Sequence, residues 1–325
     1  VRLRSRPMGG QMTLGPLHSP FTFDPPTIPF SGLFTFLMLA ALAVVLLVSV
    51  LLVLALMRRR PAGQLPRQTH GSTRLERIWT LLPALVVVFL FGLTLYVMRT
   101  EATPGAGLPT GGQPDVVVVG QQWWWEIRYP KLGIVTANEL HLPVGRRLLV
   151  QLTSAQVQHD FWVPQLGQKM DMYPGKSNYI WLEAPKAGEY HGACAEYCGV
   201  QHAWMRILAV AQSQADFDRW AAAQKPPAQA QATGLAAQGR AIFSRSACGN
   251  CHAIAGTQWN GQAAPNLTHL MSRQIISAGV LENTPANLTT YLRNPQAVKP
   301  GIYMPNYRFN EQQIRALVAY LETLK

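Results

Sequence analysis

Two long apolar runs occupy the front of the chain, and a shorter period takes over behind them. Leu33 to Met57 spans 25 positions and Ile78 to Met98 spans 21, neither with a charged residue. A helix rises about 1.5 Å per residue, so these runs reach roughly 37 Å and 31 Å, against about 30 Å of bilayer hydrocarbon. They predict a pair of membrane-spanning helices over 33–98, with Pro83 in the first turns of the second, where proline is tolerated. Residues 113–212 instead show short β-rich runs at Val116–Val119, Trp123–Tyr129, Arg147–Thr153, Phe161–Val163, Asn178–Glu183 and Arg206–Ala211. Gly and Pro punctuate them, which predicts a small Greek-key sandwich or barrel. Residues 213–232, rich in Ala, Gln and Pro, read as a short helix leading into a tether. Beyond it, 236–247 predicts a helix. Ile314, Leu317, Val318, Leu321 and Leu324 form an apolar stripe behind a capping box at Asn310 and Gln313. The expected division is a tail (1–32), a helical hairpin (33–98), a β domain (113–212), a linker (213–232) and an α domain (233–325).

Charge refines this picture. The chain carries +12, but 113–212 balances eight basic against eight acidic residues. Arg58, Arg59, Arg60, Arg67, Arg74 and Arg77 cluster between the two apolar runs. Arginines beside membrane spans stay on the cytoplasmic side, so both chain ends are expected to face outward. Arg2, Arg4 and Arg6 oppose this weakly from a greater distance. No basic helix interleaved with aromatics is present, and nucleic acid is not an expected partner.

Four cysteines form two tight pairs, Cys194 with Cys198 and Cys248 with Cys251. Such pairs beside histidines read as metal and cofactor chemistry rather than a disulfide framework. Cys194, Cys198, His202 and Met205 lie within twelve residues, and His159 lies 35 residues earlier. Two Cys and two His satisfy zinc. The soft thioether of Met205 favours copper, which also competes better at mixed nitrogen and sulfur sites.

This segment resembles the dicopper centre of cytochrome c oxidase subunit II. The resemblance implies a cupredoxin-like β domain in which Cys194 and Cys198 bridge two copper ions. His159 and His202 would each cap one ion. Met205 and the backbone carbonyl of Glu196 would be weak ligands. The Glu196 side chain would be free to bind magnesium at the interface with subunit I. The stretch from His159 to Pro164, followed by Lys169, Asp171, Pro174 and Gly175, resembles the family around its first copper histidine. Gly120-Gln-Gln-Trp123-Trp124-Trp125 resembles its aromatic segment, where the first tryptophan admits electrons. Strand alternation should place Trp124 opposite Trp123 and Trp125. His191 is read as a packing residue, because the family has an aromatic there. Glu76, a carboxylate at a helix N-terminus, matches a residue at the mouth of a proton-uptake channel of subunit I.

Cys248-Gly-Asn-Cys251-His252 is the attachment signal for heme c. With its flanking helices, 234–325 resembles a class I all-α cytochrome c. Met304, between Pro300 and Pro305, is the expected sixth ligand in preference to Met271. Arg273 is read as a partner for a heme propionate.

Together these imply a subunit of a terminal respiratory oxidase in a bacterial inner membrane. It would take electrons from a cytochrome c-type donor through heme c and two coppers to subunit I, with subunit III as a further partner. Both metal domains would lie on the periplasmic side. The rival readings are the dicopper subunit of a nitric oxide reductase and a copper-delivery protein. Glu76 and Glu196 favour the oxidase, and the heme signal disfavours delivery.

Overall fold

The computed structural model describes residues 29–57, 71–100, 113–225 and 233–325. The chain divides into two compact units. One contains two helices, α1 (Pro29–Met57) and α2 (Thr73–Thr100). Both are long and apolar enough to cross a membrane. Most of their described large side chains, Phe34, Leu46, Leu85 and Met98 among them, are exposed, as a lipid-facing surface requires. α2 begins five residues before the expected Ile78. Pro83 therefore sits in the interior of the helix and not in its first turns. Thr73 to Arg77 are compatible with helix, and their polarity had set the expected boundary too late. Interior proline is tolerated in spanning helices, where neighbouring groups re-satisfy the freed carbonyl. Glu76 and Arg77 fall at the start of α2. Arg2, Arg4, Arg6, Arg58, Arg59, Arg60 and Arg67 lie outside the described residues.

The second unit opens with a β-sandwich. One sheet contains β1 (Val116–Gln121), β2 (Trp124–Tyr129), β3 (Ile134–Ala137), β5 (Leu148–Ser154) and β8 (Asn178–Leu182), in the order β3-β2-β1-β5-β8. The other contains β4 (Glu139–Pro143), β6 (His159–Trp162), β7 (Met170–Met172), β9 (Gly188–Cys194) and β10 (Arg206–Gln212), in the order β4-β10-β9-β6-β7. Alternate residues of β1 and β5 face inward: Val116, Val118, Val150 and Leu152 are fully buried and meet Ile127, Leu140 and Phe161 in one core. The Tyr129 hydroxyl ties the two sheets. It donates to the His141 carbonyl at 2.8 Å and accepts from the His141 N–H at 2.7 Å.

The stretch expected as a linker begins with α3 (Gln214–Ala223), capped by the Ser213 hydroxyl. Phe217 and Ala221 of α3 bury into the sandwich core, and Trp220 stacks on His141 at 4.1 Å. This helix is therefore part of the β layer's packing. Residues 226–232 lie outside the described residues.

The remainder is helical: α4 (Gly234–Arg245), α5 (Pro285–Arg293), α6 (Pro295–Val298) and α7 (Glu311–Leu321). The capping box at Asn310 and Gln313 is present, and Ile314, Leu317, Val318 and Leu321 are buried. α4 crosses α7 at Gly239. A side chain there would run into the Ala316 carbonyl, so the crossing requires glycine.

Candidate metal and cofactor centre

β9 and β10 form an antiparallel hairpin whose connecting loop, 195–205, carries most of the sulfur and imidazole donors. The loop is pinned at its mouth. Cys194 N–H donates to the Met205 carbonyl at 2.9 Å, and Ala195 N–H donates to the Asp160 carbonyl at 3.0 Å. The second of these bonds brings in β6, whose first residue is His159. Gly120 on β1 makes room for that ring, since a Cβ there would lie 2.7 Å from His159 Cδ2.

The result is a two-sided cluster. Cys194 Sγ and Cys198 Sγ are 3.7 Å apart. His159 Nδ1 lies 3.6 Å from Cys194 Sγ, and His202 Nδ1 lies 3.7 Å from Cys198 Sγ. Met205 Sδ is 3.9 Å from Cys198 Sγ, and the Glu196 carbonyl oxygen is 3.1 Å from Cys194 Sγ. Each thiol thus has one imidazole and one weaker donor beside it. His159, Cys194, Cys198 and Met205 are buried. A hydrogen bond from the Cys198 thiol holds the Cys194 thiol below its ordinary pKa, against the effect of burial. A paired set of soft donors, with the Nδ1 atoms of His159 and His202 turned toward the two sulfurs, fits copper.

His191 is exposed, contrary to the expected packing role. It stands an odd number of positions from Cys194 on β9, so its side chain leaves the opposite face of the sheet. Glu196 is half-buried.

Trp124 and Trp125, at the start of β2, face opposite ways: Trp125 joins the sandwich core, whereas Trp124 packs with Ala137 and Ala278. Trp123 falls in the turn before β2 rather than in the expected strand from Trp123 to Tyr129, and it also joins the sandwich core. Trp123 is buried, and its indole N–H donates to the Cys198 carbonyl at 2.9 Å. Its ring stacks on Tyr303 at 5.2 Å.

Tyr303 belongs to the helical region, which surrounds a largely apolar cavity of about 180 Å³. Phe243, Leu267, Leu288 and Leu317 supply apolar wall, and Cys248, His252 and Met304 also line it. Met271 packs in the surrounding core instead. His252 Nδ1 is 2.7 Å from the Pro265 carbonyl, which fixes the ring and leaves Nε2 as the free donor atom. Burial holds the His252 imidazole below its ordinary value, keeping it neutral and able to coordinate. Arg273 also lines the cavity, and its buried Nε has no partner. An apolar chamber with a neutral imidazole, a thioether and a spare guanidinium N–H fits a heme.

Trp123 and Trp124 wall the same cavity from the β side. Two further contributors were not legible in the sequence. Glu139 is fully buried on β4 and accepts hydrogen bonds from the N–H groups of Gln274 and Ile275 across the seam. Lys299 is buried at the seam from the helical side. Nothing in their local sequence signals burial, because their hydrogen-bond partners lie far along the chain.

Known families match all three parts of the chain. The family described as "Cytochrome C oxidase subunit II, transmembrane domain" matches residues 25–97. The family described as "Cytochrome C oxidase subunit II, periplasmic domain" matches 131–212, and "Cytochrome c" matches 236–325. A protein of Alkalihalophilus pseudofirmus named cytochrome c oxidase subunit 2 is 36% identical over 89% of this chain and 84% of its own length. Proteins of the same name from Bacillus sp. and Bacillus subtilis are 34% and 31% identical, each over 82% of this chain and about 80% of their own.

Proposed function

Because the chain belongs to the cytochrome c oxidase subunit II family and continues into a cytochrome c region, we propose that it is the subunit through which electrons enter a terminal oxidase. They would come from a cytochrome c-type donor and pass by way of a covalent heme c and a dinuclear copper centre to subunit I, which reduces oxygen. One observation carries this reading. Trp123 walls the cavity that holds His252 and Met304, and its N–H is bonded to the carbonyl of Cys198 in the sulfur cluster.

Cys194 and Cys198 would bridge two copper ions, His159 and His202 would cap them, and Met205 and the Glu196 carbonyl would be the weak ligands. Cys248 and Cys251 would tether the heme, with His252 and Met304 as axial ligands. Bound there, both groups accept and release single electrons at a potential the protein sets. The role of the chain is to hold donors still. A β hairpin pinned at its mouth lets little rearrange when charge arrives, and the stacking of Tyr303 on Trp123 joins the two regions beside the sulfur loop. Arg273 would pair a heme propionate. The Glu196 side chain would serve a magnesium ion at the subunit I interface, and Glu76 would stand at a proton-uptake entrance. Subunit III would be a further partner. Arg74 and Arg77, at the start of α2, favour an arrangement with both metal regions on the periplasmic face.

Metal analysis with optical and EPR spectra of the full chain tests this reading. Two coppers and one heme c per chain are expected. Cys198→Ser should abolish the copper signal and leave the heme spectrum. Zinc in the sulfur cluster, or free thiols at Cys248 and Cys251, would overturn it.

A further inference from the structure

The segment from Lys299 to Met304 has two faces. Met304 closes the cavity on one side. The residues before it fasten to the β region at the donor loop. Gln201 Nε2 donates to the Pro300 carbonyl. Gly301, at φ +88°, lies against Val200, which a Cβ would meet at 3.0 Å. The Tyr303 hydroxyl donates to Gln122 Oε1 at 3.1 Å.

Lys299 begins this segment and is only 2% exposed. Lysine is almost never fully buried unless paired, and no carboxylate is paired with it among the described ion pairs. Its Nζ donates instead to two backbone carbonyls, Trp123 at 3.3 Å and Trp204 at 3.4 Å. Trp123 is bonded to the Cys198 carbonyl, and Trp204 immediately precedes Met205. The ammonium therefore bears on the donor loop from both flanks. Burial opposes its charge, the Cys198 sulfur attracts it, and Arg206 repels it.

We propose that Lys299 is a positioning residue through which the cytochrome region acts on the copper centre: it locks the Met304 loop to the sulfur-bearing loop, and its buried positive charge raises the affinity of that centre for an electron. The inference rests on the copper and heme assignments above. The reaction it biases is a single electron leaving the heme iron and entering the copper pair, with no bond made or broken. A cation beside the acceptor stabilises the more reduced state there and pulls the equilibrium toward copper.

The test is a redox titration of the full-length, metal-loaded protein, following the heme and copper signals separately. Lys299→Met removes the charge and keeps the stem. It should shift the equilibrium toward reduced heme on the order of tenfold, which is about 59 mV for a one-electron couple, with both spectra otherwise unchanged. Lys299→Arg should keep the original copper potential. If Lys299→Met loses copper, the comparison of Lys299→Arg with Lys299→Gln decides the same question. Unaltered potentials in a neutral variant with intact spectra would overturn the charge role while leaving the cofactor assignments in place. Absence of copper or heme from the unaltered chain would overturn both.

Discussion

The sulfur cluster and the cytochrome cavity gather their donors in opposite ways. In the β region the donors are already in place. Cys194, Cys198, His159, His202 and Met205 stand within 4 Å of a neighbour because strand pairing and a pinned hairpin put them there. In the helical region His252 and Met304 stand on the wall of a chamber lined by Phe243, Leu267, Leu288 and Leu317. Those apolar side chains belong to the only large core cluster of that region among the described residues. A bound group there is at once a redox partner and a packing partner. The lesson is that a metal site can be an accessory to a finished core, whereas a heme site is part of the core itself.

The strongest way to break this contrast is to remove each group in turn. With Cys248 and Cys251 both changed to Ala, residues 233–325 should lose most of their hydrogen-exchange protection while 113–212 keep theirs. With Cys198→Ser, the sandwich should stay protected. Persistent protection of the heme-free helices, or melting of the copper-free sandwich, would erase the distinction.

A second perturbation probes the finished core directly. Phe161 is fully buried, meets Trp125 edge-on at 5.8 Å and lies two residues from His159. Phe161→Ala should cost about 3–5 kcal/mol, read from the denaturant midpoint, and should weaken copper retention because β6 carries His159. In the helical region, Gly239→Ala pushes a methyl into the α4 and α7 crossing and should cost about 1–3 kcal/mol. It should also disturb the heme spectrum, because α7 supplies Leu317 to the cavity. The smallest effect belongs to an exposed helix cap. Asn310→Ala removes the cap of α7 and should cost about 1 kcal/mol with neither spectrum altered.

Much of this molecule is decided locally and can be read from the order of residues. The two spanning helices follow from uncharged length. The runs at Val116, Leu148, Asn178 and Arg206 follow from β-branched and aromatic alternation, and the α7 stripe follows from helical spacing. The chemistry is legible because Cys194, Cys198, His202 and Met205, like Cys248, Cys251 and His252, fit within a dozen positions. β3, β4, β7 and β9 escaped for physical reasons. β7 has three residues. β9 contains Gly188 and Gly192, which weaken any strand pattern. β4 buries Glu139 and His141, polar residues whose burial depends on partners far along the chain.

Only the tertiary structure decided which distant groups meet. It brought His159 to Cys194 across 35 residues and packed the expected short helix, α3, into the sandwich core. It placed Trp123 between the sulfur loop and the cavity, and sealed Lys299 into the seam. A short motif encodes its own chemistry. Burial, and the fields and contacts that come with it, arises only when two regions close on each other, and neither strand nor helix periodicity carries that information.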